Sequence, residues 1–187
     1  FQLESDHQFY LLVDQPLQSL THFRNVTVVQ VQSSRPTTEA AVADSRRSIP
    51  DMYRLYRAVA STSLDIMYFP AVYSWYPVPG RLPGIVTVHD AIAEHYPKLI
   101  FPNWKNRLFW TLKVKLALWR SDRILTISQA AKAEIVEYMG ANADTIDIAS
   151  AAPNPQFRQI NDSALIRAAR QRALLPAEAP IIVYVGG

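Results

Sequence analysis

The stretch at positions 84–90, Gly-Ile-Val-Thr-Val-His-Asp, decides the fold. Four apolar or β-branched residues precede His89, a pattern that is typical of a buried strand ending on two polar side chains. In an open parallel sheet, ligands bind beyond the carboxyl ends of the strands. We therefore expect His89 and Asp90 to lie at an edge of the sheet that borders a binding crevice.

Apolar runs of this kind recur along the chain and alternate with segments of helical periodicity. The predicted strands cover residues 9–13, 26–31, 65–69, 84–90, 123–127, 145–149 and 180–185, and the predicted helices cover 51–60, 104–120, 129–139 and 163–174. This alternation indicates an α/β fold, a Rossmann-like parallel sheet flanked by helices. In the helix over 104–120 we predict the following apolar stripe, which in an amphipathic helix faces the core: Leu108, Leu112, Leu116 and Trp119.

The composition indicates a globular protein and excludes some kinds of site. Of the 187 residues, 49% are hydrophobic and 19% are charged, which suffices for one sizeable α/β core and is short for two complete domains. The net charge of +3 is compatible with an anionic ligand or an anionic membrane surface and identifies neither. Cysteine is absent, which excludes disulfides and thiolate metal sites and allows a reducing compartment. No apolar run is long enough to predict a membrane-spanning helix.

The strand and helix pattern is interrupted at Pro153-Asn154-Pro155. We therefore expect one domain over 1–152, followed over 153–187 by a linker, a helix and the first strand of a second domain. The chain starts without Met and its last predicted strand stops at two glycines, so we expect a fragment of a longer protein.

Three polar residues at predicted strand ends are candidates for chemistry, and each also has a structural interpretation. His89 could donate to a sugar hydroxyl or a phosphate, or it could hydrogen-bond nearby backbone in a loop. Asp90 could orient His89, accept from a hydroxyl, or cap the following segment, and capping is the simplest explanation. Ser128 stands where the N-cap of the next helix belongs, and its hydroxyl could also serve an anion site at that helix start.

Other candidates are aromatic, glycine or basic residues. Tyr73 and Tyr76, in a loop with two prolines, could stack on a sugar and line an acceptor groove, or they could belong to the core. Gly186 and Gly187 could form an ordinary turn or let backbone N–H groups approach a donor phosphate. The basic residues of the helix over 104–120 are typical of a solvated face, which is the favoured interpretation, whereas the aromatic residues interleaved with them allow a membrane-surface role. The four histidines show no metal-ligand spacing, so we predict no metal site.

Two motifs in this order resemble glycosyltransferase family 4, the "group 1" enzymes. In these enzymes a strand ends in His-Asp, as at 89–90, and a segment of the form R-[SA]-D-x-I-[LI]-T-[VI]-S follows at a fitting separation, as at 120–128. Phe157 and the Tyr-Val-Gly-Gly of 184–187 also match the family's pattern, whereas its Asn-Gly-Val-Asp element reads Ala-Ala-Pro-Asn at 151–154. The resemblance covers residues 65–187, and the two motifs together are more specific than either alone.

The resemblance implies the N-terminal, acceptor-side half of a GT-B fold over 1–152 and the start of the donor-binding half over 153–187. It implies a retaining transfer of a sugar from a nucleotide-diphosphate donor to an acceptor hydroxyl, with no metal or other cofactor. His89 maps onto the family's cleft histidine, a catalytic residue that hydrogen-bonds the transferring sugar, and Ser128 maps onto its serine at a cleft-facing helix start.

From this resemblance we expect as partners a nucleotide sugar and a glycan or lipid-linked acceptor, and no nucleic acid. The expected location is the cytoplasm, with peripheral contact to the inner face of the membrane, and the 187-residue chain alone is expected to be inactive. The main alternative is a flavodoxin-like binding module without catalysis. A metal phosphohydrolase is a weaker alternative, because it needs further His and Asp ligands.

Overall fold

The computed structural model describes residues 6–14, 23–33, 48–80, 82–154 and 157–184. The chain divides into two compact units, Phe1–Ser150 and Ala151–Gly187. The strands of the first unit are β1 (Phe9–Val13), β2 (Val26–Gln30), β3 (Met67–Phe69), β4 (Gly84–Thr87), β5 (Arg123–Thr126) and β6 (Ile146–Ile148). Its helices are α1 (Ile49–Ala60), α2 (Ile92–His95), α3 (Pro97–Ile100), α4 (Trp104–Arg120) and α5 (Gln129–Met139). The second unit contains α6 (Ser163–Arg172).

All the described strand pairs are parallel, which confirms the predicted α/β class. The strands β3, β4, β5 and β6 form one four-stranded sheet in that order, and β1 pairs with β2 in a separate two-stranded sheet. In the larger sheet each strand lies next to its successor in sequence, so a helical or loop crossover connects every neighbouring pair. All four carboxyl ends therefore meet at one edge, which we call the carboxyl edge, and the four starts meet at the amino edge.

Local sequence signals explain where the main helices begin and end. Ser48 accepts a hydrogen bond from the backbone N–H of Asp51 and caps α1, and Asn103 does the same for α4 through Asn106. Gly140 ends α5 in the left-handed region at φ 69°, where a residue with a Cβ is strained. The α4 bounds equal the predicted ones, because both ends carry strong boundary residues.

The core lies between the four-stranded sheet and the helices that cover it. Val86 and Val88 from the chain around β4 are fully buried, as is Ile135 from α5. Apolar side chains of this size stabilise a fold by about 1.5–3 kcal/mol each when they leave water. The strand that precedes His89 is thus fixed by packing of its buried valines against the core.

The prediction that the apolar stripe of α4 faces the core is wrong. Leu108, Leu112, Leu116 and Trp119 are exposed, and the buried residues of this helix are Trp110, Val114 and Ala117. The two sets lie on opposite sides of the helix, since successive residues turn by about 100°. Both sets repeat every three or four residues, so periodicity identified two apolar faces without deciding which one packs.

The strand predicted over 180–185 is absent from its described part, residues 180–184. Ile182 and Tyr184 are 99% and 88% exposed, and no described strand pairs with this segment. A single strand has no partner for its backbone N–H and C=O groups, so apolar composition alone does not produce it. The pattern also gave no sign of the short helices α2 and α3, which follow directly after His89 and Asp90.

Candidate active site at the carboxyl edge

Strand pairing brings the two family-like motifs to one edge of the sheet. In the β4–β5 register Thr87 lies opposite Leu125, and one step further the backbone N–H of Val88 donates to the carbonyl oxygen of Leu125 at 2.9 Å. His89 and Ser128 therefore leave the sheet from adjacent strands at the carboxyl edge. This is the edge at which open parallel sheets bind ligands.

His89 directly follows the fully buried Val88 and is itself exposed. Within the described residues no hydrogen bond or ion pair involves its ring. The backbone-capping alternative for His89 therefore has no contact in its support. An exposed imidazole at the end of a rigid strand can donate or accept a hydrogen bond without first breaking an internal one.

Asp90 accepts a backbone hydrogen bond at the start of α2, although the N-cap position itself is Ala91. Its Oδ1 accepts a hydrogen bond from the backbone N–H of Ile92 at 3.1 Å, at the start of α2. Burial raises the pKa of both Glu94 and Tyr73, and the negative charge of Asp90 adds to this effect. Asp90 thus ties the chain after His89 to a helix and adds negative charge to its surroundings.

Ser128 is the N-cap of α5, as its position predicts. Its backbone is extended, with φ −157° and ψ 164°, and its Oγ accepts from the backbone N–H of Ala131 at 3.1 Å. A serine hydroxyl that accepts one bond still carries its own proton, so Ser128 can cap the helix and donate to a ligand together. The two interpretations of this residue are compatible.

Sequence reasoning missed Glu94, which lies on α2 one helical turn after Asp90. Its Oε1 accepts a hydrogen bond from the indole Nε1–H of Trp110 at 2.7 Å, and its Oε2 is buried with no hydrogen-bond partner in the described part of the chain. Burial raises the pKa of Glu94, and the charge of Asp90 adds to this, while the Trp110 hydrogen bond opposes it. A partly buried acid with a raised pKa, in the first helix after His89 and Asp90, is a candidate functional group. No motif marks it, because its partner is sixteen residues away on α4.

Tyr73 belongs to the same cluster. Its ring packs against Trp110 with the ring centroids 5.2 Å apart, and its backbone oxygen accepts a hydrogen bond from the ammonium group of Lys113. Burial raises the pKa of its phenol, and the negative charges of Asp90 and Glu94 raise it further. Tyr73 is half-buried, so part of its ring is accessible at the surface.

The neighbouring aromatics of the same loop are core residues. Tyr76 is 4% exposed and packs edge-to-face on Phe69, and Trp75 is 7% exposed. A buried ring offers no face to a sugar, which removes Tyr76 from the predicted acceptor-lining residues. Aromatic residues in a proline-containing loop can line a binding site or pack into the core, so the sequence left both roles of Tyr76 open.

Three further sequence predictions concern a donor-phosphate site, a metal site and a membrane-spanning helix. Gly186 and Gly187 lie outside the described residues. Among the described residues no group of three or more His, Asp or Glu side chains could hold a metal ion. None of the described helices combines the length and apolarity that crossing a bilayer requires.

The amino edge of the same sheet uses its polar groups for structure. Asp122, within the second motif, accepts from the backbone N–H of Gly84 at 2.8 Å and returns a bond from its own N–H to the Gly84 oxygen at 2.8 Å. Ser121 donates to the carbonyl oxygen of Ala117, and Arg120 to that of Gly80. Asp122 therefore joins the start of β4 to the start of β5, Ser121 and Arg120 bond to α4 and to the loop before β4, and Ser128 lies at the carboxyl edge. A hollow of about 340 Å³ beside Trp119 also lies at the amino edge, away from His89.

Comparison with known families agrees with this arrangement. The model of Glycosyltransferase Family 4 matches residues 2–151, about four fifths of the chain and nearly all of its first unit. No significant match was found among curated proteins. The parallel sheet, the two motifs at its strand ends and the family match lead to one conclusion: the chain belongs to glycosyltransferase family 4.

Proposed function

We propose that this chain is the acceptor-side domain of a retaining glycosyltransferase. The reaction moves a sugar from a nucleotide-diphosphate donor to an acceptor hydroxyl, in polysaccharide or glycoconjugate synthesis. The observation that carries the proposal is the pairing of β4 with β5, which makes His89 and Ser128 neighbours at the carboxyl edge. Family membership supports the transferase class.

In this proposal His89 touches the transferring sugar. Its exposed ring hydrogen-bonds a hydroxyl of the transferring sugar and holds that sugar in the reactive orientation as the bond to the leaving diphosphate lengthens. Removal of one such hydrogen bond typically costs about 100- to 1,000-fold in turnover at an optimised site. The ring needs no internal rearrangement for this role, because no described residue holds it.

The surrounding residues bind and orient the substrates. Ser128 donates its hydroxyl proton while Ala131 holds the oxygen in place, so the hydroxyl is pre-oriented. Asp90, besides accepting from the Ile92 N–H, accepts from an acceptor hydroxyl with its second oxygen, and the accessible part of Tyr73 contacts a sugar face. Gly186 and Gly187 remain proposed contacts to the donor phosphates.

Glu94 adds a proton-bearing group to this site. Because burial raises its pKa, the carboxyl keeps its proton at higher pH than an ordinary glutamate. Its Oε2 is buried, so Glu94 acts on the site through the residues that it contacts and not by touching a sugar. We propose Glu94 as a positioning residue for the acceptor, coupled to the sheet through Trp110.

We further propose a cytoplasmic protein with peripheral contact to the inner face of the membrane. There it would meet a glycan or lipid-linked acceptor, using a nucleotide sugar as donor substrate and neither a metal nor a cofactor. We expect the 187-residue chain alone to be inactive, because the resemblance assigns the main donor contacts to a second domain and catalysis depends on positioning both substrates.

The proposal is tested by assaying the full-length protein against a panel of nucleotide sugars with lipid-linked and oligosaccharide acceptors. We expect transfer from one donor, and a product whose anomeric configuration, read by NMR coupling constants, equals that of the donor. Saturable binding of a ligand without turnover in any combination would favour the non-catalytic module instead. Inversion of configuration would contradict the retaining assignment while leaving transfer intact.

A further inference from the structure

The long helix α4 presents a second apolar face that no described residue covers. The residues on this face, which we call the outward stripe, are Trp104, Leu108, Leu112, Leu116 and Trp119. Trp104 and Trp119 are 70% and 77% exposed, and Leu108 and Leu112 are 60% and 56% exposed. Single exposed apolar residues are normal on protein surfaces, whereas a continuous stripe of five large ones marks an interaction surface.

The charges of α4 are all of one sign. Its seventeen residues include five basic ones and neither Asp nor Glu. Lys113 and Arg120 bond to backbone oxygens of the loop before β4. The other three, Lys105, Arg107 and Lys115, are exposed. Lys105 and Lys115 project within the outward stripe, with the Lys105 ammonium 5.8 Å from the Trp104 ring.

These features match an anionic lipid surface. Tryptophans at the two ends of an apolar stripe favour the boundary between headgroups and acyl chains, because each indole combines an apolar ring with an N–H donor. Exposed basic residues beside the stripe complement anionic headgroups. A second copy of the helix would instead bring like charges together across the contact, which opposes self-association.

We propose that α4 is the membrane-docking element of this protein, with the outward stripe at the boundary of an anionic bilayer and Lys105, Arg107 and Lys115 on its headgroups. The buried face of α4, through Trp110, holds Glu94 and Tyr73. Docking therefore fixes the carboxyl edge relative to the lipid surface. This inference names the surface behind the proposed peripheral contact, and it requires no sugar transfer to be true.

The test is co-sedimentation of the full-length protein with vesicles of 70% phosphatidylcholine and 30% phosphatidylglycerol, and with pure phosphatidylcholine vesicles. We expect stronger binding to the anionic vesicles and weakening by salt. Leu108→Gln with Leu112→Gln should reduce the partition coefficient at least tenfold, because two apolar side chains no longer enter the lipid. Lys105→Gln and Lys115→Gln should each cost about fivefold on anionic vesicles only.

The matched controls are Ile49→Gln and Arg57→Gln on α1, which remove an exposed apolar residue and an exposed basic residue elsewhere. We expect both to bind like the wild type, and far-ultraviolet circular dichroism should show that all variants fold. The proposal is overturned if the full-length protein does not bind, if the α1 controls lose as much as the α4 variants, or if the leucine variants bind normally. A dimer that Leu108→Gln with Leu112→Gln converts to a monomer would likewise overturn it, in favour of a second copy on the stripe.

Tryptophan fluorescence gives a second readout that separates docking from loss of fold. Two of the four tryptophans, Trp75 and Trp110, are buried, and Trp104 and Trp119 are exposed. Anionic vesicles should shift the emission to shorter wavelength, and Trp104→Phe with Trp119→Phe should abolish the shift. A shift that persists in this variant would contradict docking through the stripe.

Discussion

The polar side chains at the two edges of the four-stranded sheet differ in how they are hydrogen-bonded. At the amino edge Asp122 exchanges two hydrogen bonds with Gly84, and the side chains of Ser121 and Arg120 are bonded to backbone oxygens. At the carboxyl edge His89 is exposed without a described partner, and Glu94 keeps one buried oxygen unbonded. Buried polar atoms are normally paired. The polar side chains of the amino edge therefore stabilise the fold, whereas the exposed His89 ring and the unbonded Glu94 oxygen mark the carboxyl edge as the candidate ligand site.

The contrast separates two roles within one sequence motif. In the segment 120–128 the first three residues make structural hydrogen bonds at the amino edge, and the last one lies at the carboxyl edge. A motif match by itself gives all four residues equal weight. Substitutions at the two ends of the motif should therefore change different quantities, stability at one end and turnover at the other.

The largest expected effect is at the carboxyl edge. His89→Ala in the full-length enzyme should lower turnover by about 10- to 1,000-fold, because a donor to the transition state is lost, while the melting temperature stays near that of the wild type. His95→Ala is the matched control, since His95 is another exposed histidine, stacked between Tyr96 and Tyr138. Unchanged turnover in His89→Ala would show that the residue is only structural.

The next effect is at the amino edge and concerns stability. Asp122→Ala removes the acceptor of the Gly84 N–H and should lower the free energy of unfolding by about 1–3 kcal/mol, measured by urea titration. Asp122→Asn keeps an acceptor oxygen and should lose less. Turnover per folded molecule should remain within twofold of the wild type in both, and a large loss of turnover at full stability would remove the distinction between the edges.

A smaller effect tests the double role of Ser128. Ser128→Ala should cost about 0.5–2 kcal/mol of stability through the lost cap of α5. Ser128→Asp caps the helix but has no hydroxyl to donate, so it should keep stability and lose turnover, whereas Ser128→Thr should keep both. If Asp and Thr at this position turn over equally, the hydroxyl proton has no part in the reaction.

The smallest expected effect is the pH dependence that Glu94 gives to the stability of the fold. Its pKa is higher in the folded protein than the ordinary glutamate value, so between these two values the folded state binds more protons than the unfolded state. The contribution of Glu94 to the free energy of unfolding is therefore intact below the ordinary glutamate pKa, and it falls as pH rises through the higher pKa of the folded protein. Glu94→Gln keeps an acceptor for Trp110 and cannot ionise, so it should gain stability over the wild type as pH rises. A difference in melting temperature that is constant with pH would contradict the raised pKa.

Sequence patterns predicted the strands of the first unit and the main helices well but not the strand over 180–185, because apolar runs and cap residues mark an element only where it also has a packing partner. The α4 bounds and the caps Ser128 and Gly140 show this clearly. The inward face of α4 and the burial of Tyr76 depend on contacts between distant elements, which periodicity does not contain. Glu94 was not identified for the same reason, since its raised pKa comes from burial, which depends on contacts with residues distant in sequence. His89 and Ser128 were identified as candidates from position and resemblance, and their roles in catalysis are still predictions.

The most direct test of the carboxyl edge as the sugar site is a backbone amide NMR map of the full-length protein with and without the donor nucleotide sugar and acceptor. The account predicts that the largest shift changes in this domain fall at residues 88–94 and 126–130, with Gly84, Asp122 and the hollow beside Trp119 unaffected. Shift changes concentrated at the amino edge, with the His89 and Ser128 amides unmoved, would contradict it.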